Sequence, residues 1–265
     1  MPSILDSVID DLAAEQAALE AVLVRMPADS WELATHAPGW AARDQVAHLA
    51  QFDATATLAI RDPEHFRDHL RQPDNSEQAY LDRARKLSAA DLLERWRTNS
   101  RDLIEAGRTL DPSARIPWAG PAMSAVSFIT ARLMETWSHG LDVVDVVGIE
   151  RPDTDRLRHV AFIGVRARPY SYTNRGMDVP AVPIRISLTA PSGATWEMGE
   201  DTDENVIRGS ATDFCRVVTR RRHVADTALE VRGPVAEEWM GIAQAFAGPP
   251  GAGRQPGEFP KETSA

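Results

Sequence analysis

Residues 123–148 read MSAVSFITARLMETWSHGLDVVDVVG, and this stretch decides the fold. It reads as one long helix from about Met123 to Val147 that stops at Gly148. Phe128, Ala131, Glu135, His139, Asp142 and Val146 fall on a single stripe of that helix, apolar at its ends and ionisable in the middle. Three ionisable groups on a core-facing stripe are costly to bury unless they are paired or coordinated. Glu135 and His139 are four residues apart, so their side chains sit one above the other on the same face.

Three further helices precede this one. Leu5, Val8, Leu12, Leu19, Leu23 and Met26 keep helical spacing, an amphipathic helix that Pro27 ends. A second runs from near Trp40 to about Ile60. Residues 62–78 are polar and rich in breakers, a loop holding one short helix. Ser88, with Asp91 three residues on, caps a third helix that continues through Leu110. Four long helices joined by loops predict a four-helix bundle over residues 1–150, with one longer crossover.

Beyond Gly148 the period changes. A helix near Asp155–Arg168 is followed by Val182, Ile184, Ile186 and Leu188, which alternate as a strand. Pro191-Ser192-Gly193 turns it into a hairpin with Ala194–Met198, and Asn205–Arg208 and Leu229–Val231 read as further strands. Ser210 caps a helix to Arg220, and Pro234 opens a last helix through Phe246. Residues 151–247 therefore form a small α+β domain, and the Pro/Gly-rich residues 248–265 a flexible tail. The fold class is α plus α+β.

Composition supports the division and narrows the function. Residues 1–150 hold 14 basic and 24 acidic residues, whereas residues 151–265 hold 15 of each. A net charge of −10 excludes nucleic acid as the main partner. There is no run of 18 apolar residues and no secretory leader, so the chain is expected to be cytoplasmic, with no membrane partner. A single cysteine excludes an internal disulfide and a Cys-rich zinc site, leaving any metal to His and carboxylates. Cys215 lies mid-helix beside Phe214 and Val217 and reads as a buried, inert thiol. Of the 29 basic residues 27 are Arg, which fits codon usage in a GC-rich genome.

The second helix offers His48, in Arg43-Asp44-Gln45-Val46-Ala47-His48-Leu49-Ala50, with Phe52 one turn later. His48, Glu135 and His139 make a two-His, one-Glu set that suits zinc or another first-row divalent ion. From spacing alone, a plain Glu–His helix pair or a satisfied core histidine explains the same residues. Asp142 reads either as a group that orients or completes the set, or as a helix-surface acid. His65 and His69 are also four apart, but among Glu64, Arg67, Asp68 and Arg71 they read as a solvated face. His36 lies in the loop before Gly39-Trp40, within reach of the site, while His159 and His223 read as surface or inter-domain residues. Trp40 and Trp137 adjoin the motifs and could wall the site from water.

Taken in order, Trp31…Thr35…Pro38-Gly39-Trp40-Ala41…Arg43-Asp44-Gln45-Val46-Ala47-His48-Leu49 and Glu135-Thr136-Trp137-Ser138-His139-Gly140-Leu141-Asp142-Val143 form two separated motifs. Over roughly residues 5–150 the chain resembles the DinB-like, mycothiol-dependent maleylpyruvate isomerase superfamily. The resemblance implies a four-helix bundle holding a divalent metal, usually zinc, on His48, Glu135 and His139. Residues 205–215 and Thr219-Arg220-Arg221-Arg222 resemble the family's C-terminal, distantly sterol-carrier-like domain. There an arginine assists at the metal site, and Arg221 is the matching residue. The family's usual glycine before it is Arg220 here, and three adjacent arginines equally fit a solvated helix end.

The function that follows is a divalent-metal-binding, mycothiol-dependent enzyme of the S-transferase or isomerase type, acting on a small electrophilic substrate. Two neutral His and one Glu leave a zinc site at about +1 with an open position, which a thiolate fills. Arginines would bind an anionic group of the substrate. The alternatives are a non-catalytic metal-binding regulator and a small-molecule or lipid-binding protein on the same fold.

Overall fold

The computed structural model describes residues 3–118 and 120–259, and the chain divides into two compact units between Arg151 and Pro152. In the first, helices α1 (Ile4–Leu23) and α2 (Ala42–Arg61) lead to two short helices, α3 (Pro63–His69) and α4 (Glu77–Ala84). Helix α5 (Ala89–Arg108) follows, and a hairpin of β1 (Arg115–Ile116) and β2 (Met123–Ser124) opens onto α6 (Ala125–Val147). Helix α2 packs on α5 and α6, and α1 packs on α6 and α5. Leu19, Leu23, Val46, Leu49, Trp96 and Val143 fill the core between them.

The ends of the long helices follow local chemistry. The Ser88 hydroxyl accepts from Asp91 N at 3.1 Å and starts α5. Gly148 adopts φ 64, the left-handed turn that stops α6. The segment 62–78, expected to be a loop with one short helix, holds α3, and α4 begins at its end. The Asp62 carboxylate accepts from His65 N at the start of α3, and Ser76 accepts from Ala79 N at the start of α4. Each is too short to show an apolar period, yet they bury Phe66, and Leu81 with Ala84. The β1–β2 hairpin carried no strand signal because each strand is two residues long.

Two ion pairs lie inside this unit. Asp53 on α2 is fully buried and accepts from Arg132 Nη2 on α6 at 3.0 Å and from the Ser100 hydroxyl on α5 at 3.1 Å. Glu15 on α1 faces Arg151, whose guanidinium lies 3.4 Å away and donates to Trp137 O at 2.8 Å. A Cβ at Gly140 would stand 2.2 Å from Arg151 Nη1, so only glycine leaves room there for the guanidinium.

The second unit holds helices α7 (Leu157–Arg166) and α8 (Arg168–Thr173), then strands β3 (Arg185–Thr189), β4 (Thr195–Gly199) and β5 (Val206–Ser210). Helix α9 (Ala211–Val218), strand β6 (Glu230–Arg232) and helix α10 (Pro234–Ile242) complete it. The sheet runs β4-β3-β5-β6, antiparallel except for the parallel β3–β5 pair. Ile186, Leu188 and Ile207 are buried, and α9 packs against α7, β3 and β5. The helix expected over Asp155–Arg168 is α7, ending at Arg166, and the stretch after it holds the short α8, with Pro169 in its first turn, where no N–H is needed. The strand expected from Val182 starts at Arg185, because Pro183 cannot donate and the carbonyls of Pro180 and Val182 accept from Arg168. Helix α10 stops at Ile242 instead of Phe246, since Gln244 N bonds Ser171 Oγ and Ala245 N bonds Val218 O.

Residues 248–259 contain neither helix nor strand, but they are tied down. Gly257 N and Phe259 N donate to Asp226, and Arg220 donates to Gly251 O. Residues 260–265 of the expected tail lie outside the described residues.

Arg132→Met keeps the volume of the side chain but strands the buried Asp53 carboxylate, and should cost about 3–5 kcal/mol of stability. Adding Asp53→Asn to it should recover much of that loss in chemical denaturation, which a purely steric defect would not allow.

Candidate metal centre

Helix α2 delivers His48 and helix α6 delivers Glu135 and His139 to one point. Glu135 Oε2 lies 3.1 Å from His139 Nε2 and 3.6 Å from His48 Nε2, and the two imidazole centroids are 4.1 Å apart. One ligand atom from each of the three residues falls within 4.8 Å of the others. Four ligands at about 2.0–2.1 Å around a tetrahedral ion stand roughly 3.3 Å from each other, so the spacing suits zinc-like coordination.

The far side of each imidazole is held by an acceptor. His139 Nδ1 lies 2.6 Å from Gln45 Oε1, and His48 Nδ1 lies 2.6 Å from Glu77 Oε1. The Gln45 amide is oriented by the loop before α2. The Thr35 hydroxyl donates to Trp40 O at 2.9 Å, so its oxygen accepts from Gln45 Nε2 at 2.9 Å, which turns Oε1 toward His139. Since an amide oxygen and a carboxylate only accept, both Nδ1 atoms must donate. With neutral imidazoles both Nε2 atoms then face the Glu135 carboxylate with lone pairs, an arrangement that repels itself unless a cation stands between them. Protons on the Nε2 atoms or a divalent ion among all three satisfy it, and the donor set of two imidazoles and a carboxylate fits the ion.

Aromatic rings close in on the pair. Trp40 stacks on His139 at 6.0 Å between centroids and tilts over His48 at 5.4 Å. Phe52 packs on His48 at 4.5 Å and joins Trp118, Phe66 and Phe128 in one cluster. Both imidazoles keep only 13% of their surface exposed, and Glu135 keeps 22%. Burial pushes the His48 imidazolium down, but its bonds to Glu135 and Glu77 outweigh this and hold it above the usual histidine range. Burial raises the Glu135 carboxyl, yet the bonds to His139 and His48 carry it well below its ordinary value. Glu77 is also held low, chiefly by its bond to His48.

Asp142 does not join the converging atoms. It is buried, and its Oδ2 lies 3.9 Å from His139 Nδ1, on the Gln45 side of the ring. His69 sits apart from the centre, its ring and carbonyl engaged by Asn75 at the end of α3. Arg221 belongs to the second unit, where its Nη1 donates to Thr219 O at 2.8 Å. Arg220 before it has φ 61, the one non-glycine residue with positive φ among the described residues, so it occupies a conformation that favours glycine. Its side chain is pinned by Gly251 O and packs over Gly253, where a Cβ would come within 2.5 Å of the guanidinium. Sequence reasoning missed Gln45 and Glu77. Gln45 is one helical turn before His48, a signal that was available. Glu77 lies in the polar stretch, where nothing marks it.

Residues 12–144 match the family model of the mycothiol maleylpyruvate isomerase N-terminal domain. Two uncharacterized proteins of Mycobacterium tuberculosis, from strains CDC 1551 / Oshkosh and H37Rv, are each 41% identical to the chain over 250 residues, covering 93% of it and 97% of theirs. The crystal structure of the mycothiol-dependent maleylpyruvate isomerase superposes with TM-score 0.58 at 17% identity, over 84% of this chain and 93% of that one. A mutant of the same isomerase gives TM-score 0.57 at 16% identity, with the same coverage.

These shifts set the pH response of metal-stripped protein. His48, raised above 6.5, contributes stability that is complete below that value and is lost as pH climbs through its raised pKa. Glu135, lowered below 4.5, contributes stability that is lost only in stronger acid. In chelator the melting temperature should therefore fall as pH rises above about 6.5, and fall less in His48→Ala. Parallel profiles for the two proteins in calorimetry would refute the assignment.

Proposed function

The chain belongs to the mycothiol maleylpyruvate isomerase N-terminal domain family, and from that premise we propose that it is a divalent-metal- and mycothiol-dependent enzyme. Its reaction is of the isomerase or S-transferase type on a small electrophilic substrate, carried out in the cytoplasm. The observation that carries the reading is the convergence of His48 Nε2, His139 Nε2 and Glu135 Oε2, with an acceptor behind each imidazole.

In this reading the first unit is a DinB-like four-helix bundle and the second a sterol-carrier-like α+β domain. His48, Glu135 and His139 hold the ion, and zinc is the first choice for two imidazoles and a carboxylate. When bound, the ion supplies a Lewis-acid position that favours the thiolate form of a thiol near neutral pH. The chain's own residues do the rest. Gln45 and Glu77 keep the Nδ1 protons in place, so that both histidines present the same nitrogen inward. Trp40 and Phe52 cover the ring faces and limit water there. Arg221 is assigned to an anionic group of the substrate, on its match to the family's arginine, and the fixed left-handed turn at Arg220 sets where its side chain leaves the backbone. A guanidinium suits a carboxylate because it pairs bidentately.

Purified protein should carry about one equivalent of divalent metal, and His48→Ala and His139→Ala should lose it. With mycothiol as the thiol, the wild type should turn over members of a panel of small electrophiles, and Arg221→Ala should lose activity while retaining metal. Unchanged metal content in the histidine variants refutes the site. A wild type that holds metal but turns over nothing refutes the enzyme and favours a regulator.

A further inference from the structure

We propose that Glu77 is a positioning residue of the centre, a charged acceptor that fixes the tautomer of His48 and strengthens its hold on the ion. The proposal rests on the metal reading above and adds a residue from outside the three converging side chains.

Glu77 is the first residue of α4, directly after the Ser76 cap, in the segment that joins α2 to α5. A carboxylate in a first turn is already favoured by the helix dipole, and that alone would explain an acid at this place. The geometry goes further. Glu77 Oε1 lies 2.6 Å from His48 Nδ1, on the side of the ring opposite Glu135, so the imidazole is bracketed by two carboxylates. The bond is short enough to be charge-assisted.

The segment around Glu77 is built to hold it there. Gln51 on α2, one turn after His48, donates to Asn75 O at 3.2 Å. Asn75 donates to His69 O at 3.1 Å, and Arg83 donates to Asp74 O at 2.7 Å. Leu81 and Ala84 on the following turns are buried in the core that α2 shares. The backbone of Glu77 is therefore fastened to the helix that carries His48, and the carboxylate has little distance to cover. Most of this polar connection is exposed, and Glu77 with it, but Phe66 is buried and Gln51 ties the Asn75 carbonyl to α2.

The two histidines are backed differently. Gln45 gives His139 a neutral amide oxygen whose orientation depends on Thr35. Glu77 gives His48 a full negative charge that needs no third group to orient it. Both fix the proton on Nδ1, but only Glu77 also makes the imidazole a stronger donor.

The test uses the full-length protein, stripped with chelator and titrated with Zn²⁺ against a chromophoric chelator. Wild type, Glu77→Gln, Glu77→Ala and Ser76→Ala are compared, with the last removing the cap of α4 and leaving the carboxylate. Affinity should fall about 10–100-fold in Glu77→Ala, with Glu77→Gln between it and the wild type. Ser76→Ala should lower the melting temperature and leave affinity within about twofold. In ¹⁵N-histidine spectra of the metal-free protein with neutral imidazoles, His48 should be the Nδ1–H tautomer in wild type and shift toward the Nε2–H tautomer in Glu77→Ala. Affinity within about twofold of wild type in Glu77→Ala overturns the proposal and leaves Glu77 as a helix-end acid. A wild type that takes up no ion overturns both this and the metal reading.

Discussion

The Asp53 carboxylate lies at the centre of the first unit with no exposed surface, and the chain answers it with Arg132 from α6 and Ser100 from α5. A pair this deep adds little net stability over apolar packing of the same volume, but it tolerates no mismatch. His48 lies five residues before Asp53 on α2, and Glu135 and His139 lie three and seven residues after Arg132 on α6. A slip of one residue along either helix moves a side chain by about 1.5 Å and rotates it by about 100°. Such a slip would strand Asp53 and at the same time pull His48 away from Glu135. The register that satisfies the charge is the register that assembles the three donor atoms.

The long elements of this arrangement were legible because their signals are redundant. The helix containing Glu135 and His139 shows an apolar stripe, a serine at its start and a glycine at its stop, and each points to the same boundaries within two residues. His48 could be linked to that helix only through the two motifs and their order in the chain, since periodicity says which face a residue occupies and not which helix it meets. The short helices α3 and α4 were illegible for the opposite reason. Each buries only one or two residues, so burial leaves no period to read. The late start of β3 was decided by Pro183 together with hydrogen bonds that Arg168 makes to carbonyls well along the chain.

What the sequence hid at the site is its backing. Gln45 and Thr35 belong to the first motif, yet their use becomes visible only when the loop closes through Thr35 N and the Thr35 hydroxyl on Trp40 O. That closure does two things at once, turning the Gln45 amide and placing the Trp40 ring over both imidazoles. Hence residues that look like a turn signature, Thr35…Gly39-Trp40, are better understood as the mount of His139. Side chains that hold the imidazoles from behind are specified by hydrogen bonds and not by hydrophobic spacing, and spacing is what a single sequence shows.

Cys215 closes the account of thiols. Its side chain has no exposed surface and its sulfur donates to Leu157 O at 3.6 Å, while burial, with Asp153 adding to it, pushes its pKa well above the ordinary thiol value. It is the single cysteine of the chain. A protein that handles a low-molecular-weight thiol is exposed to the oxidised form of that thiol, and an accessible cysteine would be captured as a mixed disulfide. With its own sulfur held protonated and out of reach, this chain offers no thiolate for that exchange. The thiol-dependent enzyme proposed above would therefore form no mixed disulfide of its own with the oxidised thiol.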